Sequence, residues 1–217
     1  MSEVPQGVSF QDVERKAPRP TATMTMTRDG PNGVEVLLGL RSETMVAFPG
    51  YWAFPGGGLS RVDIAAVEQL EGFDIDESKA VACILREMSE ELGLAPSKKG
   101  LVQLPLEARK EIIADKSRYL PLALEGKFPY NTSAIRVLSH RITPPFGPIQ
   151  FDNAFMHVHA GAIEDVPDID LEPQTEFTEI MWATPVEILR RWANYEIKVA
   201  PPVVTLMMEI ERTLERK

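Results

Sequence analysis

Three glutamates at helical spacing are the residues of this chain best suited to chemistry. Glu87, Glu90 and Glu91 fall in the sequence REMSEELGL, residues 86–94, which predicts the last turn of a helix before Gly93. Spacings of three and four residues place side chains on one face of a helix, where like charges repel. The negative end of the helix dipole adds to this repulsion. Because Mg²⁺ and Mn²⁺ prefer clustered oxygen ligands, the pattern predicts a metal site.

A solvated, glutamate-rich helix surface is the alternative explanation for these residues. The sequence upstream favours the metal site. There, a short apolar strand over residues 51–54 runs into the glycines of FPGGG, residues 54–58. Glycines allow positive φ angles and a close approach of the backbone, so carbonyl groups in such a turn can point at a ligand.

The pattern R-E-x-x-E-E-x-G-hydrophobic, after F-P-G-G-G, resembles the Nudix box of the Nudix hydrolase superfamily. The resemblance implies an α/β fold, an α/β/α sandwich around a mixed β-sheet. The usual box has a glycine, five residues, a glutamate, seven residues and then Arg-Glu. Counting back from Arg86 reaches Ser78, with Glu77 beside it, so the glutamate is missing at that spacing. We therefore predict an insertion over residues 59–76, between the glycine loop and the Nudix helix.

The resemblance also implies roles for individual residues. Nudix hydrolases cleave a diphosphate linkage by attack of water on phosphorus, with divalent cations that neutralise charge and lower the pKa of the water. Glu90 and Glu91 would be the principal ligands of Mg²⁺ (or Mn²⁺), and the main-chain carbonyl of Gly56 another. Glu87 would be a ligand or the base that orients the water. Arg86 would hold Glu87 by a charge-assisted hydrogen bond, with an ordinary surface ion pair as the alternative.

Two further candidates lie outside the box. Many Nudix enzymes add a glutamate from a loop before the strand that bears a late tryptophan, here Trp182. Glu176 is our choice for that catalytic residue and Glu172 is the alternative; an exposed loop carboxylate would explain either. Arg41, at the end of a predicted strand, is a candidate substrate-binding residue that would contact a phosphate. A surface arginine is the competing explanation.

The rest of the chain reads as one domain, residues 20–217, after an N-terminal arm, residues 1–19. Threonine alternation and a turn-rich sequence predict a hairpin of strands 21–27 and 34–40. The Nudix helix is predicted over residues 77–92, with Asp74 or Asp76 as its N-cap and with Cys83 packed in the core. The remaining predictions are helices 106–115, 185–192 and 202–216, strands 135–142, 155–162 and 177–183, and loops over the rest of 95–133.

Composition narrows the class of protein. With 217 residues and 44% hydrophobic content, the chain can bury one substantial core. A formal net charge of −9 argues against duplex nucleic acid as a partner, because binding to phosphates needs clustered Lys and Arg. No apolar run is long enough for a membrane span and no signal region is evident, so a cytoplasmic protein is expected. The family resemblance adds a homodimer as a possible assembly.

Later motifs resemble a subgroup of the superfamily, the peroxisomal-type coenzyme A diphosphatases and their bacterial relatives. These motifs are ITPP (142–145), QFDNAFM (150–156), EFTEIMWATPVEIL (176–189) and APPVVTL (200–206). The sequence LGLRS (38–42) is similar to the strand that ends in Arg-Ser in that subgroup. Gln150 stands where those relatives usually carry arginine, which removes a positive charge from a possible phosphate contact.

The predicted function is therefore metal-dependent hydrolysis of a diphosphate linkage in a nucleoside diphosphate derivative. A coenzyme A derivative and an ADP-ribose-like or NADH-like molecule are the candidate small-molecule substrates. A catalytically silent Nudix-fold module that binds a nucleotide, or regulates through it, is the alternative. The three mutually repelling glutamates favour the enzyme, because a module that has lost hydrolysis has no reason to retain them.

Overall fold

The computed structural model describes residues 17–70, 74–98, 100–143, 150–174 and 176–214. Within these residues there are nine β-strands and six α-helices. The strands are β1 (Arg19–Gly30), β2 (Gly33–Arg41), β3 (Trp52–Ala53), β4 (Gly56–Gly58), β5 (Leu94–Ser97), β6 (Gly100–Gln103), β7 (Arg136–Ile142), β8 (Phe151–Ala162) and β9 (Phe177–Ala183). The helices are α1 (Arg61–Ala66), α2 (Ile75–Glu87), α3 (Leu106–Ala114), α4 (Tyr119–Leu124), α5 (Pro185–Ala193) and α6 (Pro201–Leu214).

A seven-stranded mixed sheet forms the centre of the fold. Its strand order is β3-β2-β1-β8-β7, with β4 also paired to β1 and β9 to β2. Strands β1 and β8 run parallel, and the other pairs run antiparallel. The predicted β1–β2 hairpin is confirmed: a two-residue turn joins the strands, and Gly33 adopts the positive φ of 114° that favours glycine.

Helices cover both faces of this sheet. Side chains alternate between the faces along each strand, so Leu37 packs into one apolar cluster while Val36 and Leu38 pack into another. The first cluster includes residues of α2, α3 and α4, and the second includes residues of α5 and α6. The predicted α/β/α sandwich around a mixed sheet is therefore confirmed.

Helix α2 and the π-helical turn that follows it carry the glutamates, and sequence signals mark both ends. Asp74 is the N-cap: its side chain accepts a hydrogen bond from the Glu77 N–H at 2.8 Å. One fully buried stripe anchors the helix to the sheet, formed by Val81, Ile84, Leu85, Met88 and Leu92. After Glu87 the chain continues into a π-helical turn over residues 88–92, and the helix ends at Gly93 with a φ of 65°. The predicted helix is confirmed, but its π turn was not predicted.

The region from residue 95 to residue 133 corrects one prediction. Helix α3 is present where a helix was predicted, but the expected loops around it are wrong. Strands β5 and β6 form a separate hairpin, and the short helix α4 buries Tyr119 and Leu122 against the core. These elements have four to six residues each, too few for a hydrophobic period to show in the sequence.

Strand β8 is longer than predicted because polar residues extend it. Asn153 lies in register with Thr21 of β1. Its amide oxygen accepts from the Thr21 and Thr23 hydroxyls at 3.1 and 3.2 Å, and its amide nitrogen lies 3.0 Å from the Thr23 hydroxyl. The arm residues 1–16 and most of the predicted turn at 143–148 lie outside the described residues. In the part of the chain that is described, no helix is both long and apolar enough to cross a bilayer.

Candidate active site

The glycine turn and the end of helix α2 approach each other closely. Strand β4 pairs with β1, and this brings Gly56 against Ala22: a Cβ atom at Gly56 would lie 2.3 Å from the Ala22 carbonyl oxygen. Gly56 also has a φ of 143°, which side-chain-bearing residues rarely adopt. A Cβ atom at Gly57 would lie 2.2 Å from Oε1 of Glu87. The turn can therefore reach the glutamate face only because these positions are glycine.

Glu91 is a deeply buried carboxylate of the site, with 2% of its surface exposed. Its Oε2 accepts a hydrogen bond from the Gly56 N–H at 2.9 Å, whereas Oε1 is buried without a partner among the described residues. Burial raises the pKa of Glu91 well above its ordinary value, and the charges of Glu87 and Glu176 raise it further. A buried carboxylate oxygen with no partner destabilises the protein, and a bound cation would satisfy it.

The pKa values of Glu87 and Glu90 are also raised, as that of Glu91 is. Burial raises the pKa of Glu87 from 4.5 to about 7; Arg86 opposes the rise, and Glu90 and Glu176 add to it. Burial also raises the pKa of Glu90, although both of its carboxylate oxygens lie 3.2 Å from Nη1 of Arg86. The charge of Glu87 therefore interacts with those of Glu90 and Glu91, as their helical spacing predicts.

Arg86 lies at the centre of a buried network of carboxylates. Its Nη1 is 2.9 Å from Oε1 of Glu87, so the ion pair expected from the family resemblance is present. The side chain is only 3% exposed, which rules out the alternative of an ordinary surface pair. Its Nε and Nη2 donate to the two carboxylate oxygens of Asp63 at 2.7 and 2.9 Å. This fork of two parallel hydrogen bonds fixes the guanidinium plane.

Asp63 is a site residue that the sequence analysis missed. It lies in helix α1, inside the predicted insertion, and its Oδ2 also accepts a hydrogen bond from the Ser60 N–H at 2.8 Å. The signal was present: Gly57 is followed by five residues and then by Asp63, the glycine-to-acid spacing of the box. Counting back from Arg86 misses it, because the extra residues lie between Asp63 and Arg86 rather than directly after the glycine turn.

Glu176 lies within electrostatic reach of the buried glutamates. Its negative charge contributes to the raised pKa values of both Glu87 and Glu91. The main chain holds it in place, since the Glu176 carbonyl accepts a hydrogen bond from the Ser42 N–H at 2.8 Å. Glu176 therefore interacts electrostatically with the glutamates of the motif, and its catalytic role stays a prediction. Glu172, the alternative candidate, contacts other groups through its main-chain carbonyl.

Arg41 is the last residue of β2. Its positive charge lowers the pKa of Glu91, so the guanidinium lies near the glutamate cluster. Its Nε donates to the Ala47 carbonyl at 2.9 Å, which ties the side chain to the loop that follows the strand. A half-buried arginine in this position can present its remaining N–H groups to a phosphate.

The donor set suits a hard divalent cation, although the carboxylates do not converge. Among the residues that the structure describes, no three Asp, Glu, His or Cys side chains are arranged to enclose a metal ion. Glu90 faces Arg86, and Glu91 faces the Gly56 N–H. The unpaired Oε1 of Glu91 and the buried negative charge around it nevertheless fit Mg²⁺ or Mn²⁺. The assignment of Gly56, Glu87, Glu90 and Glu91 as ligands stays a prediction.

Comparisons with known proteins establish the fold. No protein-family model and no curated protein matches the sequence. Among solved structures, a NUDIX hydrolase from Alicyclobacillus acidocaldarius aligns with a TM-score of 0.77 and 22% identity, over 90% of this chain and 91% of that one. The NUDIX domain of Shewanella oneidensis NrtR, complexed with ADP ribose, aligns with a TM-score of 0.54 and 13% identity, over 92% and 90%. This chain has the fold of the Nudix hydrolases.

Proposed function

We propose that this protein is a divalent-cation-dependent hydrolase that cleaves a diphosphate linkage in a nucleoside diphosphate derivative. The observation that carries the proposal is Glu91, which is buried beside Glu87 and the glycine turn and has one carboxylate oxygen without a partner. Burial of mutually repelling carboxylates destabilises a fold, so their presence indicates a ligand that compensates for it. A diphosphate substrate and its cation supply the complementary charges.

The buried glutamates would hold the cation. Glu91 would contribute its unpaired Oε1, Glu90 would turn from Arg86 toward the ion, and the Gly56 carbonyl would complete the protein ligands. Mg²⁺ or Mn²⁺ would neutralise the diphosphate and lower the pKa of the attacking water. Gly57 contributes by its lack of a side chain, because any Cβ there would displace the Glu87 carboxylate.

Proton transfer and substrate orientation fall to the remaining residues. The Glu87 carboxylate would accept the proton of the attacking water or orient that water, while Arg86 and Asp63 fix its position. Glu176, whose charge acts on Glu87 and Glu91, would assist this proton transfer. Arg41 would contact a phosphate of the substrate through the N–H groups that are not bound to Ala47.

Two similarities indicate the class of substrate. The NUDIX domain of NrtR has the same fold and was solved in complex with ADP ribose, a nucleoside diphosphate linked to a sugar. The motifs around residues 38–42 and 142–206 resemble those of coenzyme A diphosphatases. We infer a substrate in which a nucleoside diphosphate carries a further group, either a coenzyme A derivative or an ADP-ribose-like or NADH-like molecule.

The test is product release from a panel of ADP-ribose, NADH, diadenosine polyphosphates, nucleoside triphosphates, coenzyme A and acyl-coenzyme A, with Mg²⁺, Mn²⁺ or EDTA. Wild-type protein should cleave one class of these substrates, and only when Mg²⁺ or Mn²⁺ is present. Glu90→Gln should abolish that turnover and retain the wild-type circular dichroism spectrum. Glu107→Gln, on the exposed face of α3, is the matched control and should retain full activity. Ligand binding without cleavage across the panel would overturn the proposal in favour of a silent binding module.

A further inference from the structure

Arg109 is a buried cation whose hydrogen bonds to the described residues all go to main-chain carbonyls. It extends from α3, has 3% of its surface exposed, and donates five hydrogen bonds, all to main-chain carbonyls. The carbonyl oxygens of Glu90 and Glu91 accept three of them at 3.0–3.2 Å. The carbonyl oxygens of Asp170 and Glu172 accept the other two at 2.6 and 2.9 Å.

The first pair of carbonyls belongs to the end of the glutamate helix. The last carbonyls of a helix have no N–H partner within the helix, and they carry the negative end of its dipole. A guanidinium placed there satisfies them and fixes the main chain of the π turn. Because it binds the carbonyls of Glu90 and Glu91, Arg109 restrains the main chain from which their carboxylates project.

The second pair of carbonyls belongs to the segment that leads to Glu176. Glu172 lies four residues before Glu176, so an anchor at Glu172 limits the positions that the Glu176 carboxylate can reach. At the other end of this segment, the Gln174 side chain accepts a hydrogen bond from the Glu176 N–H at 2.6 Å. The Ser42 N–H donates a hydrogen bond to the Glu176 carbonyl. One guanidinium thus joins two separate parts of the site.

Gly93 makes this contact possible. A Cβ atom at Gly93 would lie 2.9 Å from Nη1 of Arg109 and 3.0 Å from its Cζ. The glycine therefore serves both the positive φ of the helix end and the approach of the guanidinium. Burial lowers the pKa of Arg109, and the negative charge of Asp170 opposes this effect.

We propose that Arg109 is a positioning residue, whose guanidinium holds the Glu90–Glu91 turn and the Glu176 segment in the relative arrangement that cation binding and hydrolysis require. This inference rests on the proposed function. It adds to the motif a residue that touches neither cation nor substrate. Groups that orient metal ligands typically contribute about 10- to 100-fold to metal affinity.

The test compares Arg109→Ala and Arg109→Lys with Arg118→Ala. Arg118 is the matched control because its exposed guanidinium binds, among the described residues, only Glu111, at 3.3 Å. Free Mn²⁺ measured by electron paramagnetic resonance gives the affinity, and hydrogen exchange of residues 88–93 and 170–174 reports the main chain. Arg109→Ala should weaken Mn²⁺ binding by about 10- to 100-fold and speed exchange in both segments. Its kcat should fall more than its KM rises.

Chemical rescue separates positioning from general stability. A cavity of about 210 Å³ beside the arginine is lined by Gly93, Gln103, Leu104, Leu106 and Asp170, and gives a small cation access. Guanidinium at a non-denaturing concentration should restore part of the Mn²⁺ affinity of Arg109→Ala, and NaCl of equal ionic strength should not. Arg109→Lys keeps the charge and should bind Mn²⁺ with intermediate affinity, which provides a second reading if the alanine variant does not fold.

The outcomes distinguish this inference from the proposed function. If wild-type protein binds no Mn²⁺, the proposed function fails and the inference falls with it. If wild-type protein binds Mn²⁺ and cleaves a diphosphate, the function stands and the variants decide the inference alone. Mn²⁺ affinities of Arg109→Ala and Arg109→Lys within twofold of wild type, or exchange unchanged in both segments, would overturn the role of Arg109.

Discussion

Replacement of Glu87 by glutamine should stabilise the cation-free protein at alkaline pH. Burial raises the pKa of Glu87 from 4.5 to about 7 in the folded state, although Arg86 lies 2.9 Å away. The unfolded chain therefore loses this proton near pH 4.5, and the folded protein retains it until about pH 7. Between these values the folded state binds more protons, so its stability falls as pH rises, the reverse of the usual salt-bridged carboxylate.

The magnitude follows from the same two pKa values. At about 1.4 kcal/mol for each pH unit between them, ionisation of Glu87 lowers the free energy of unfolding by about 3 kcal/mol. Glutamine fills the same space without a charge at any pH. Relative to wild type, Glu87→Gln should therefore gain about 2–3 kcal/mol between pH 5 and pH 8. For a domain of this size, each kcal/mol corresponds to roughly 2–4 °C in Tm.

The assay is urea unfolding followed by circular dichroism in EDTA, at pH 5 and pH 8, for wild type, Glu87→Gln and Glu107→Gln. Glu107→Gln removes an exposed carboxylate and should behave as wild type at both pH values. With Mn²⁺ present at pH 8, wild type should become more stable than Glu87→Gln. A ligand that binds only the folded state stabilises it, and wild type should bind the cation more tightly. If Glu87→Gln shows the same difference from wild type at pH 5 and pH 8, the electrostatic reasoning about this site is wrong.

Three further substitutions test the surrounding structure. Asp63→Asn should lower the free energy of unfolding, measured with urea, by about 3 kcal/mol, because it removes a buried charged partner of Arg86. Asp76→Asn, which affects an exposed pair with Lys79, is the control and should leave this free energy unchanged. Gly57→Ala should reduce Mn²⁺ affinity by isothermal titration at least about tenfold, since the new Cβ collides with the Glu87 carboxylate; unchanged affinity would contradict this. Glu176→Gln should lower kcat by about 100-fold or more in steady-state assays while Mn²⁺ affinity changes little, and equal losses in both would assign it to the cation instead.

Much of the fold could be predicted from the sequence because a long helix or strand carries short-range signals in its own residues. Helix α2 has an apolar stripe, an N-cap at Asp74 and a stop at Gly93, and each of these is a short-range signal. The β1–β2 hairpin is marked by its turn residues. The β5–β6 hairpin and α4 were missed, because elements of four to six residues show no period and form through contacts with the core.

The residues of the site can also be separated into those that the sequence predicted and those that it did not. The glutamates, Arg86 and the glycine turn were found because their spacing is a pattern of side-chain types. Asp63 was missed because its partner Arg86 lies 23 residues away, beyond the reach of the compact spacing. Arg109 was missed for a different reason: the groups it binds are main-chain carbonyls, and no pattern of side chains records them. The π turn of residues 88–92 also has no sequence signature.

Titration of Mn²⁺ into metal-free protein tests most directly whether the carboxylate cluster is a cation site. Isothermal titration of wild type, Glu91→Gln and Glu107→Gln at pH 8 compares a buried carboxylate that has one unpaired oxygen with an exposed carboxylate. We predict saturable binding to wild type and to Glu107→Gln, and an affinity for Glu91→Gln lower by at least about tenfold, or 1.4 kcal/mol. Equal binding by all three proteins, or no saturable binding by wild type, would contradict the account.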